Sequence, residues 1–352
     1  MDYKKTLEEL ILTVIRENGS DLHLGAGRVP AIRVNGELIF LAKQPAFTQE
    51  DMMRILGVIL DKNKIDKFVQ NQELDFSYDF RGEARLRGNA FFQKGLVSMV
   101  FRLVPKVKTL AELHLPAILA DLARKKQGFF LVVGPVGQGK STTLSSMIEL
   151  VNNEQARNII TIEDPIEHVY IANKSIISQR EVGIDTKYFY SALKEVFRED
   201  VNVIMIGEMR TPETIATAVT AAETGHLVLS TLHTNNASQT IDRIIDSFPG
   251  NQQDQIRTQL AASLLAIFSQ RLIPRITGGL IPAYELLLNN SAVANLIREK
   301  RTHEIDVIIE TGTESGMVDL NHSLIELVRA GEITIENAYQ YSLNPKGLER
   351  LI

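Results

Sequence analysis

The sequence predicts two domains of different class, an antiparallel α+β domain in residues 1–108 and an α/β domain with a parallel sheet in residues 109–352. The chain is longer than one hydrophobic core usually fills, so two domains are the default expectation. The first part has short alternating strands and hairpin signals, whereas in the second part buried strands alternate with helices. These two patterns place the boundary near residue 108.

Composition narrows the classes of function. Hydrophobic residues make up 44% and charged residues 23% of the chain, close to globular averages, so neither disorder nor a fibrous class is indicated. The formal net charge of -5, without long Lys/Arg runs, argues against nucleic acid as a partner, because the positive field that holds phosphate backbones is missing. The absence of cysteine excludes disulfides, cysteine-bound zinc and thiol catalysis, and fits a reducing compartment.

The N-terminal residues predict a helix and not a targeting segment. Apolar residues recur there at helical spacing, at Leu7, Leu10, Ile11, Val14 and Ile15. A signal peptide would need a continuous apolar stretch, and no apolar run in the chain approaches the length that spans a bilayer. We therefore expect a cytoplasmic protein without direct membrane insertion.

The first domain is predicted to consist mainly of strands. Residues 20–24 alternate as a strand does, and Asn35-Gly36 between two short strand patterns is a strong type I′ hairpin signal. A polar helical stretch follows from about Thr48 to Val69. Three more strand patterns lie at 76–80, 84–92 and 96–104. Residues 105–108 have the composition of a linker.

The second domain is predicted to be a parallel sheet with helices between its strands. Four continuous apolar runs indicate buried strands, at 128–133, 158–162, 201–206 and 227–232. Helical patterns intervene near 142–152, 187–198 and 212–223. Beyond about residue 251 the chain is expected to be mostly helical to its end.

A glycine-rich segment between the first of these strands and the helix after it matches the phosphate-loop pattern. It consists of Gly134, Pro135, Val136, Gly137, Gln138, Gly139, Lys140, Ser141 and the following Thr142. Glycines let backbone N–H groups converge on phosphates, and the helix directs its positive dipole end at the same anion. Lys140 would reach the β- and γ-phosphates and the Ser141 hydroxyl would ligate magnesium, so ATP and Mg²⁺ are the predicted ligands. A glycine-rich turn without a ligand is the alternative, which this strand-to-helix context excludes.

Two acids at predicted strand ends are candidates for a part in ATP hydrolysis. Glu208 follows a hydrophobic strand, as does the acid that orients or deprotonates the attacking water in P-loop ATPases. Gly207 stands where many such enzymes have a magnesium-ligating aspartate, so the metal must be supported differently. Glu163 ends another strand and is expected to reach the metal or its waters, because open α/β sheets bind ligands at these strand ends. A solvated acid at 208 and a turn stabilised by Asp164 are the alternatives.

Two histidines bracket the predicted strand 227–232. Because His226 and His233 lie at opposite ends of it, they cannot be stacked ligands of one metal, and a zinc site is unsupported. A contact with the γ-phosphate or with Glu208 suits His233 better. An ordinary structural role is the alternative for each histidine.

Three arginines of the first domain form a separate candidate group. Arg85 and Arg87 share one face of a strand by period-two alternation. If the next strand folds back symmetrically about Lys94-Gly95, Arg102 falls opposite Arg87. Like charges opposed across strands destabilise a sheet unless an anion lies between or beside them, so this register predicts a phosphate-facing patch. Solvated surface arginines are the alternative.

Together these motifs resemble the PilT branch of the secretion-ATPase superfamily, the type IV pilus retraction ATPases. The resemblance covers nearly the whole chain. It rests on the N-terminal signature at 20–24, the Walker A motif at 134–143, the Aspartate box at 161–167, the Walker B motif at 206–210 and the histidine boxes at 223–226 and 231–235. Glycine before the Walker B acid is usual in this family, which accounts for Gly207.

The resemblance implies a PAS-like N-terminal domain joined to a RecA-like P-loop NTPase domain, assembled as a homo-hexameric ring. In that family, N-domain arginines project toward the nucleotide across a domain or subunit boundary. Arg87 and Arg102 match those positions, with Arg85 a neighbour, and Arg271 resembles a further arginine near the nucleotide. The implied partner is an inner-membrane pilus platform protein, which would place the ring on the cytoplasmic side of the inner membrane at the pilus base.

Three segments depart from the family pattern. Gln138 stands in the Walker A loop where serine is usual, and residues 198–202 replace the usual Asp-Pro-Asp with the loss of one carboxylate. The C-terminal retraction signature at 292–299 has Ala294 where arginine is typical. The last departure bears on retraction and not on ATP hydrolysis.

The predicted function is a motor that hydrolyses ATP to drive type IV pilus retraction and twitching motility. The related pilus assembly and type II secretion ATPases typically carry an extra N-terminal domain and a four-cysteine zinc insertion, and this chain has no cysteine. A non-hydrolysing nucleotide-dependent scaffold would not need the intact Lys140, Ser141, Glu163 and Glu208. A nucleic-acid translocase would need a basic surface that the composition does not indicate.

Overall fold

The structure is a computed structural model that describes residues 2–34, 36–81, 84–104 and 107–352. It divides into two compact units, Met1–Lys106 and Val107–Ile352. Each unit has its own buried core, as expected for a chain of 352 residues.

The first unit is an antiparallel sheet with helices. The strands are β1 (Asp21–Gly25), β2 (Ala31–Val34), β3 (Glu37–Phe40), β4 (Glu73–Phe80), β5 (Ala84–Gln93) and β6 (Leu96–Val104). The helices are α1 (Tyr3–Arg16), α2 (Gln49–Ile59) and α3 (Lys62–Asn71). The spatial order of the strands is β3-β2-β1-β6-β5-β4. The apolar face of α1, through Leu7, Leu10, Ile11 and Val14, is buried in the core of this unit, as its helical spacing predicts.

Two local predictions for this unit can be compared with the structure. Val34 pairs with Glu37, so β2 and β3 form the expected hairpin, with Gly36 at a φ of +87°. The other hairpin residue, Asn35, lies outside the described residues, as do Pro105 and Lys106 of the predicted linker. The expected single helical stretch is two helices, because Asp61 caps α3 by accepting a hydrogen bond from the N–H of Lys64.

The second unit is built on a mixed sheet in the order β13-β12-β7-β11-β10-β8-β9. Its strands are β7 (Gly128–Val133), β8 (Asn158–Glu163), β9 (Ile176–Glu181), β10 (Val203–Ile206), β11 (Leu227–Leu232), β12 (Leu264–Pro274) and β13 (Leu280–Leu288). Its helices are α4 (Ile118–Ala123), α5 (Lys140–Glu154), α6 (Phe189–Glu195), α7 (Pro212–Glu223), α8 (Ala237–Asp246), α9 (Gly250–Ser263), α10 (Ser291–Arg298), α11 (Ile305–Thr311), α12 (Leu320–Arg329), α13 (Ile335–Tyr341) and α14 (Pro345–Glu349). The four predicted strands form its parallel centre, since β7 pairs with β11, β11 with β10 and β10 with β8.

The prediction of a mostly helical region beyond residue 251 was wrong for residues 264–288. This segment forms β12, which is parallel to β7, and β13, which is antiparallel to β12. Eight of the eleven residues of β12 are buried, so its sequence lacks the alternation of a half-exposed strand. The apolar run at 264–268 cannot be distinguished from a buried helix by periodicity. Pro282 is accommodated because β13 is an edge strand.

None of the helices in the described ranges is long and apolar enough to cross a membrane.

Candidate nucleotide-binding site

The phosphate loop connects β7 to α5 and has the backbone that its glycines predict. Gly139 precedes the first residue of α5 at a φ of +77°, in the left-handed region that glycine favours. A Cβ on Gly139 would lie 2.9 Å from Gln270 Nε2, and a Cβ on Gly134 would lie 2.5 Å from the backbone oxygen of Gln270. The loop therefore requires glycine at both positions for space as well as for conformation. This cradle and the helix N-terminus behind it fit a bound triphosphate.

Lys140 lies inside this loop. Its ammonium group donates hydrogen bonds to the backbone oxygens of Gly134 (2.9 Å) and Pro135 (2.8 Å). Burial and the nearby Arg271 together lower the pKa of Lys140 to about 8, while Glu208 and Glu167 oppose the shift. A phosphate would supply the negative charge that this partly desolvated ammonium lacks.

Strand β12 braces the phosphate loop through Gln270. Its Nε2 donates to the backbone oxygen of Gln138 at 2.7 Å, and its Oε1 accepts from Thr143 Oγ1 at 2.7 Å. In return, Gln138 Oε1 accepts from the N–H of Leu272 at 2.6 Å. Gln138, which departs from the family pattern, therefore ties the loop to β12. Gln270 is not predicted as a site residue from the sequence, because β12 lies in the region that was predicted to be helical.

Four side chains form a row from the phosphate loop to the end of β10. Lys140 Nζ lies 3.3 Å from His233 Nδ1, and His233 Nε2 lies 3.8 Å from one carboxylate oxygen of Glu208. Arg210 pairs with the other oxygen of Glu208. Burial and the charge of Lys140 lower the pKa of His233, which favours the neutral imidazole. Because Nδ1 faces a charged ammonium, it accepts, so the ring proton lies on Nε2 toward Glu208.

Glu163 ends β8 and is buried, with 5% of its surface exposed. Burial raises its pKa, against hydrogen bonds from Thr161 Oγ1 at 2.7 Å and Gln179 Nε2 at 3.2 Å. A buried carboxyl group of this kind is tuned by its surroundings and is common at functional sites. Neither donor was selected from the sequence as a site residue, because only the acids of the 161–167 motif, which Thr161 opens, were considered, and Gln179 lies in no motif.

One cavity of about 690 Å³ brings the predicted residues together. It is lined by residues 136–142 of the phosphate loop and by Glu163, Asp164, Glu167, Glu208, Arg210 and His233, among others. The loop follows β7, and the acids and His233 follow β8, β10 and β11, so all lie at the carboxyl edge of the sheet. That edge is where the strand pattern predicts a ligand.

His226 and Arg271 do not line this cavity. His226 lies at the other end of β11 from His233, where its Nδ1 is 3.0 Å from the backbone oxygen of Ala221 and its ring packs edge-on against Phe197. The structure therefore does not bring His226 to this cavity, since a six-residue strand separates its ends by about 20 Å. Arg271 is buried behind the loop, where it donates to Asn235 at 2.9 Å.

The arginines of the first unit belong to a row across its sheet. Arg87 pairs with Arg102 in the register that the symmetric turn predicts, which confirms that register. Arg102 also pairs with Asp21, and Asp21 pairs with Arg33. Arg102 Nε donates to Asp21 Oδ1 at 2.9 Å, so Asp21 supplies the anion that the sequence argument assigned to phosphate. One terminal nitrogen of Arg87 is buried without a hydrogen-bond partner among the described residues.

Arg85 lies on the same face of β5 and pairs in register with Asp79 of β4. The approach of Arg85, Arg87 and Arg102 to a nucleotide stays a prediction.

Asp21→Asn is expected to destabilise the first unit. The side chain of Asp21 is only 5% exposed. The substitution removes its negative charge from the row in which Arg33, Arg87 and Arg102 lie. We expect the free energy of unfolding at pH 7 to fall by about 1–3 kcal/mol, the range for a charged hydrogen-bond partner. Urea unfolding and hydrogen exchange of the β1 and β6 amides would measure this loss.

The same experiment has a defined pH dependence. Although burial opposes it, hydrogen bonds from Ser20 and Arg102 hold the pKa of Asp21 below its usual value. A carboxyl group with a lowered folded-state pKa contributes stability that is present above its unfolded pKa and lost as pH falls through the folded pKa. The difference between the proteins should therefore vanish in strong acid. Glu37→Gln, at an exposed carboxylate on β3, is the control, and equal unfolding of the two variants at pH 7 would contradict the prediction.

Comparison with known proteins identifies the family of this chain. The family model "Type II/IV secretion system protein" matches residues 4–339. The chain is 42% identical over 341 residues to the "Type IV pilus retractation ATPase PilT" of Pseudomonas aeruginosa, with 97% of this chain and 99% of the relative covered. The chain belongs to the type II/IV secretion protein family, in its PilT branch. The predicted family and the predicted P-loop ATPase class are therefore confirmed.

Two further members of the PilT branch support this assignment. A "Twitching motility protein" of Neisseria gonorrhoeae is 42% identical over 321 residues, covering 91% of this chain and 86% of that protein. The crystal structure titled "Crystal Structure of the Pilus Retraction Motor PilT and Bound ADP" superimposes with a TM-score of 0.88 at 45% identity, and covers 97% of this chain and 98% of that chain. The likeness confirms the predicted division into an N-terminal and an α/β ATPase part, whereas the PAS-like character of the first unit stays a prediction.

Proposed function

We propose that this protein is a homo-hexameric motor that hydrolyses ATP in the presence of Mg²⁺ and thereby retracts type IV pili. The observation that carries the proposal is the convergence of Lys140, Glu163, Glu208 and His233 on one 690 Å³ cavity beside the phosphate loop. Full-length similarity to PilT proteins supports the biological role. The partner would be the inner-membrane platform protein of the pilus, met on the cytoplasmic side.

The residues that line the cavity have different roles in ATP hydrolysis. The phosphate loop and Lys140 bind the triphosphate, and the Ser141 hydroxyl would hold Mg²⁺, which when bound neutralises charge between the phosphate oxygens. Glu208 orients or deprotonates the attacking water. The neutral imidazole of His233 donates from Nε2 toward Glu208 or a phosphate oxygen, and Glu163 would hold waters around Mg²⁺ when it is bound. Arg210 pairs with one carboxylate oxygen of Glu208, which leaves the other oxygen, on the side of His233, to accept a proton.

The related assembly and type II secretion ATPases fit the structure less well. Those proteins typically carry a four-cysteine zinc insertion in the region between β12 and β13. Here Pro274 ends β12 and Leu280 begins β13, so only residues 275–279 join them. The backbone N–H of Arg275 donates to the oxygen of Gly279 at 3.0 Å, which closes this turn. The segment therefore has no room for such an insertion.

The proposal is tested by activity, assembly and cell behaviour together. We expect the purified protein to release phosphate from ATP in the presence of Mg²⁺ and to elute as a hexamer. Phosphate release should stop when EDTA is added. In a bacterium that lacks its own retraction ATPase, the chain should restore twitching. Restored pilus extension in a bacterium that lacks its own assembly ATPase would favour an assembly role, and saturable ATP binding without phosphate release would favour a nucleotide-dependent scaffold.

The arginine hypothesis predicts complementation between two inactive variants. Arg102→Ala subunits lack the arginine and Lys140→Ala subunits lack a competent phosphate loop, so each is expected to be nearly inactive alone. If an arginine reaches the nucleotide of a neighbouring subunit, mixed rings contain some intact sites, and phosphate release should recover. The control mixes Arg102→Ala with Arg198→Ala, a variant at an exposed site that keeps both Arg102 and the phosphate loop. Its rate of phosphate release is the highest rate that a mixed ring is expected to reach. A mixed ring that forms by native mass spectrometry yet stays inactive would count against an arginine supplied in trans.

A further inference from the structure

The loop that carries His233 is held from one side by strand β12. This loop consists of residues 233–236 and joins β11 to α8. Asn235 makes its contacts with β12. Ser269 Oγ donates to the backbone oxygen of Asn235 at 2.9 Å, and Arg271 Nη2 donates to the same oxygen at 2.9 Å and to Asn235 Oδ1 at 3.3 Å. Both donors are buried, so these bonds are protected from water.

A buried carboxylate on β13 holds the other end of the same loop. Glu285 Oε1 accepts a hydrogen bond from the N–H of Ala237, the first residue of α8, at 2.8 Å. Glu285 pairs in register with Ser269, and residues directly opposite in an antiparallel pair share a face, so both side chains point toward this loop. Only 7% of the surface of Glu285 is exposed. Burying a carboxylate is costly, so its presence at this place calls for a function.

The position of the loop matters because His233 bridges two groups of the site. Its ring lies 3.3 Å from the ammonium of Lys140 and 3.8 Å from the carboxylate of Glu208. A misplacement of about 1 Å in such an array is enough to lower a rate by about a hundredfold. The anchors of residues 233–237 therefore control the position of His233 relative to Lys140 and Glu208.

We infer that the Glu285 carboxylate is a positioning residue, which fixes the start of α8 and thereby holds His233 between Lys140 and Glu208. The inference rests on the proposed ATP hydrolysis. It assigns Glu285 no contact with substrate. The negative charge acts in two ways, since it favours the N-terminus of α8 and attracts Arg271, which holds Asn235.

The surroundings of Glu285 make this anchor sensitive to pH. Burial raises the pKa of Glu285 and the carboxylates of Asp306 and Asp319 add to the rise, whereas the N–H of Ala237 and the charge of Arg271 oppose it, and the resulting pKa is about 7. The group is therefore ionised above about pH 7 and neutral below it. As pH falls through this value, the attraction to Arg271 and to the helix end is lost, and the loop is held less firmly.

Glu285→Gln separates the charge from the hydrogen bond. Glutamine keeps an oxygen that can accept from Ala237, but it carries no charge. We expect kcat at pH 8 to fall about tenfold with little change in the KM for ATP, because a positioning effect acts on the chemical step. The ratio of wild-type to variant kcat should shrink to about twofold at pH 6, where most of the wild-type carboxylate is protonated. Glu326→Gln, at an exposed position of α12, is the matched control and should keep wild-type kinetics at both pH values.

A measurement that needs no activity keeps the inference separate from the proposed function. Hydrogen exchange in Glu285→Gln should be faster for the amides of 233–237 and unchanged for those of 134–141. A wild-type protein without ATPase activity but with this exchange difference would overturn the proposed function and leave the anchor intact. Wild-type kcat at every pH together with unchanged exchange in a folded Glu285→Gln protein would overturn the inference.

Discussion

Glu208→Ala is expected to abolish ATP hydrolysis while leaving ATP binding nearly intact. Glu208 lines the cavity at the end of β10, and its carboxylate faces His233 and Arg210 instead of the phosphate loop backbone. Its loss removes the base that orients the attacking water, a contribution of about 10²–10⁴-fold in kcat. Binding depends mainly on the loop, so the Kd for ATP should change less than about threefold. Phosphate release and titration calorimetry measure the two effects separately.

Two further variants show whether the charge of Glu208 is responsible. Glu208→Gln keeps the size of the side chain and should be nearly as inactive as Glu208→Ala. Glu213→Ala, at an exposed acid in the first turn of α7, removes a carboxylate outside the cavity and should keep wild-type kcat. A Glu208→Ala protein that hydrolyses ATP at the normal rate would show that another group activates the water.

Lys140→Ala is expected to lose ATP binding as well as hydrolysis. The ammonium lies within the phosphate loop, and each charge-assisted hydrogen bond that it would give a phosphate is worth about 1.5–3 kcal/mol. We expect kcat/KM to fall by about 10³-fold, because the contact strengthens as charge develops on the transferred phosphoryl group. Calorimetry should show ATP binding weakened by at least about tenfold.

Lys140→Arg is a stringent companion to this variant. An arginine keeps the charge, but its planar group cannot occupy the space between the oxygens of Gly134 and Pro135 that holds the ammonium. It should therefore rescue little activity. Lys187→Ala, at an exposed lysine, controls for the loss of one positive charge. Tight ATP binding by a folded Lys140→Ala protein would contradict the assignment of the phosphate loop.

The sequence by itself determined the phosphate loop and the edge of the sheet where a ligand belongs. Glycines at fixed spacing between a buried strand and a helix leave few other conformations, so the loop could be predicted residue by residue. Glu163, Glu208 and His233 follow strands that are parallel neighbours, and the carboxyl ends of such strands meet at one edge. The register of Arg87 against Arg102 also followed from sequence, because a short turn determines which residues are opposed.

Only the tertiary structure decided which groups hold these residues in place. Gln270, Arg271 and Glu285 come from β12 and β13. This part of the chain was predicted to be helical, because strands buried on both faces lack the alternation of half-exposed strands. Asp21 neutralises Arg102 across 81 positions of sequence, and no local pattern encodes such a contact. That His226 and His233 lie at opposite ends of β11 followed from the sequence, and the structure shows that the end with His233 lines the cavity. Short-range backbone geometry is determined by the local sequence. Hydrogen-bond partners and counter-charges depend instead on how strands that are distant in sequence pack together.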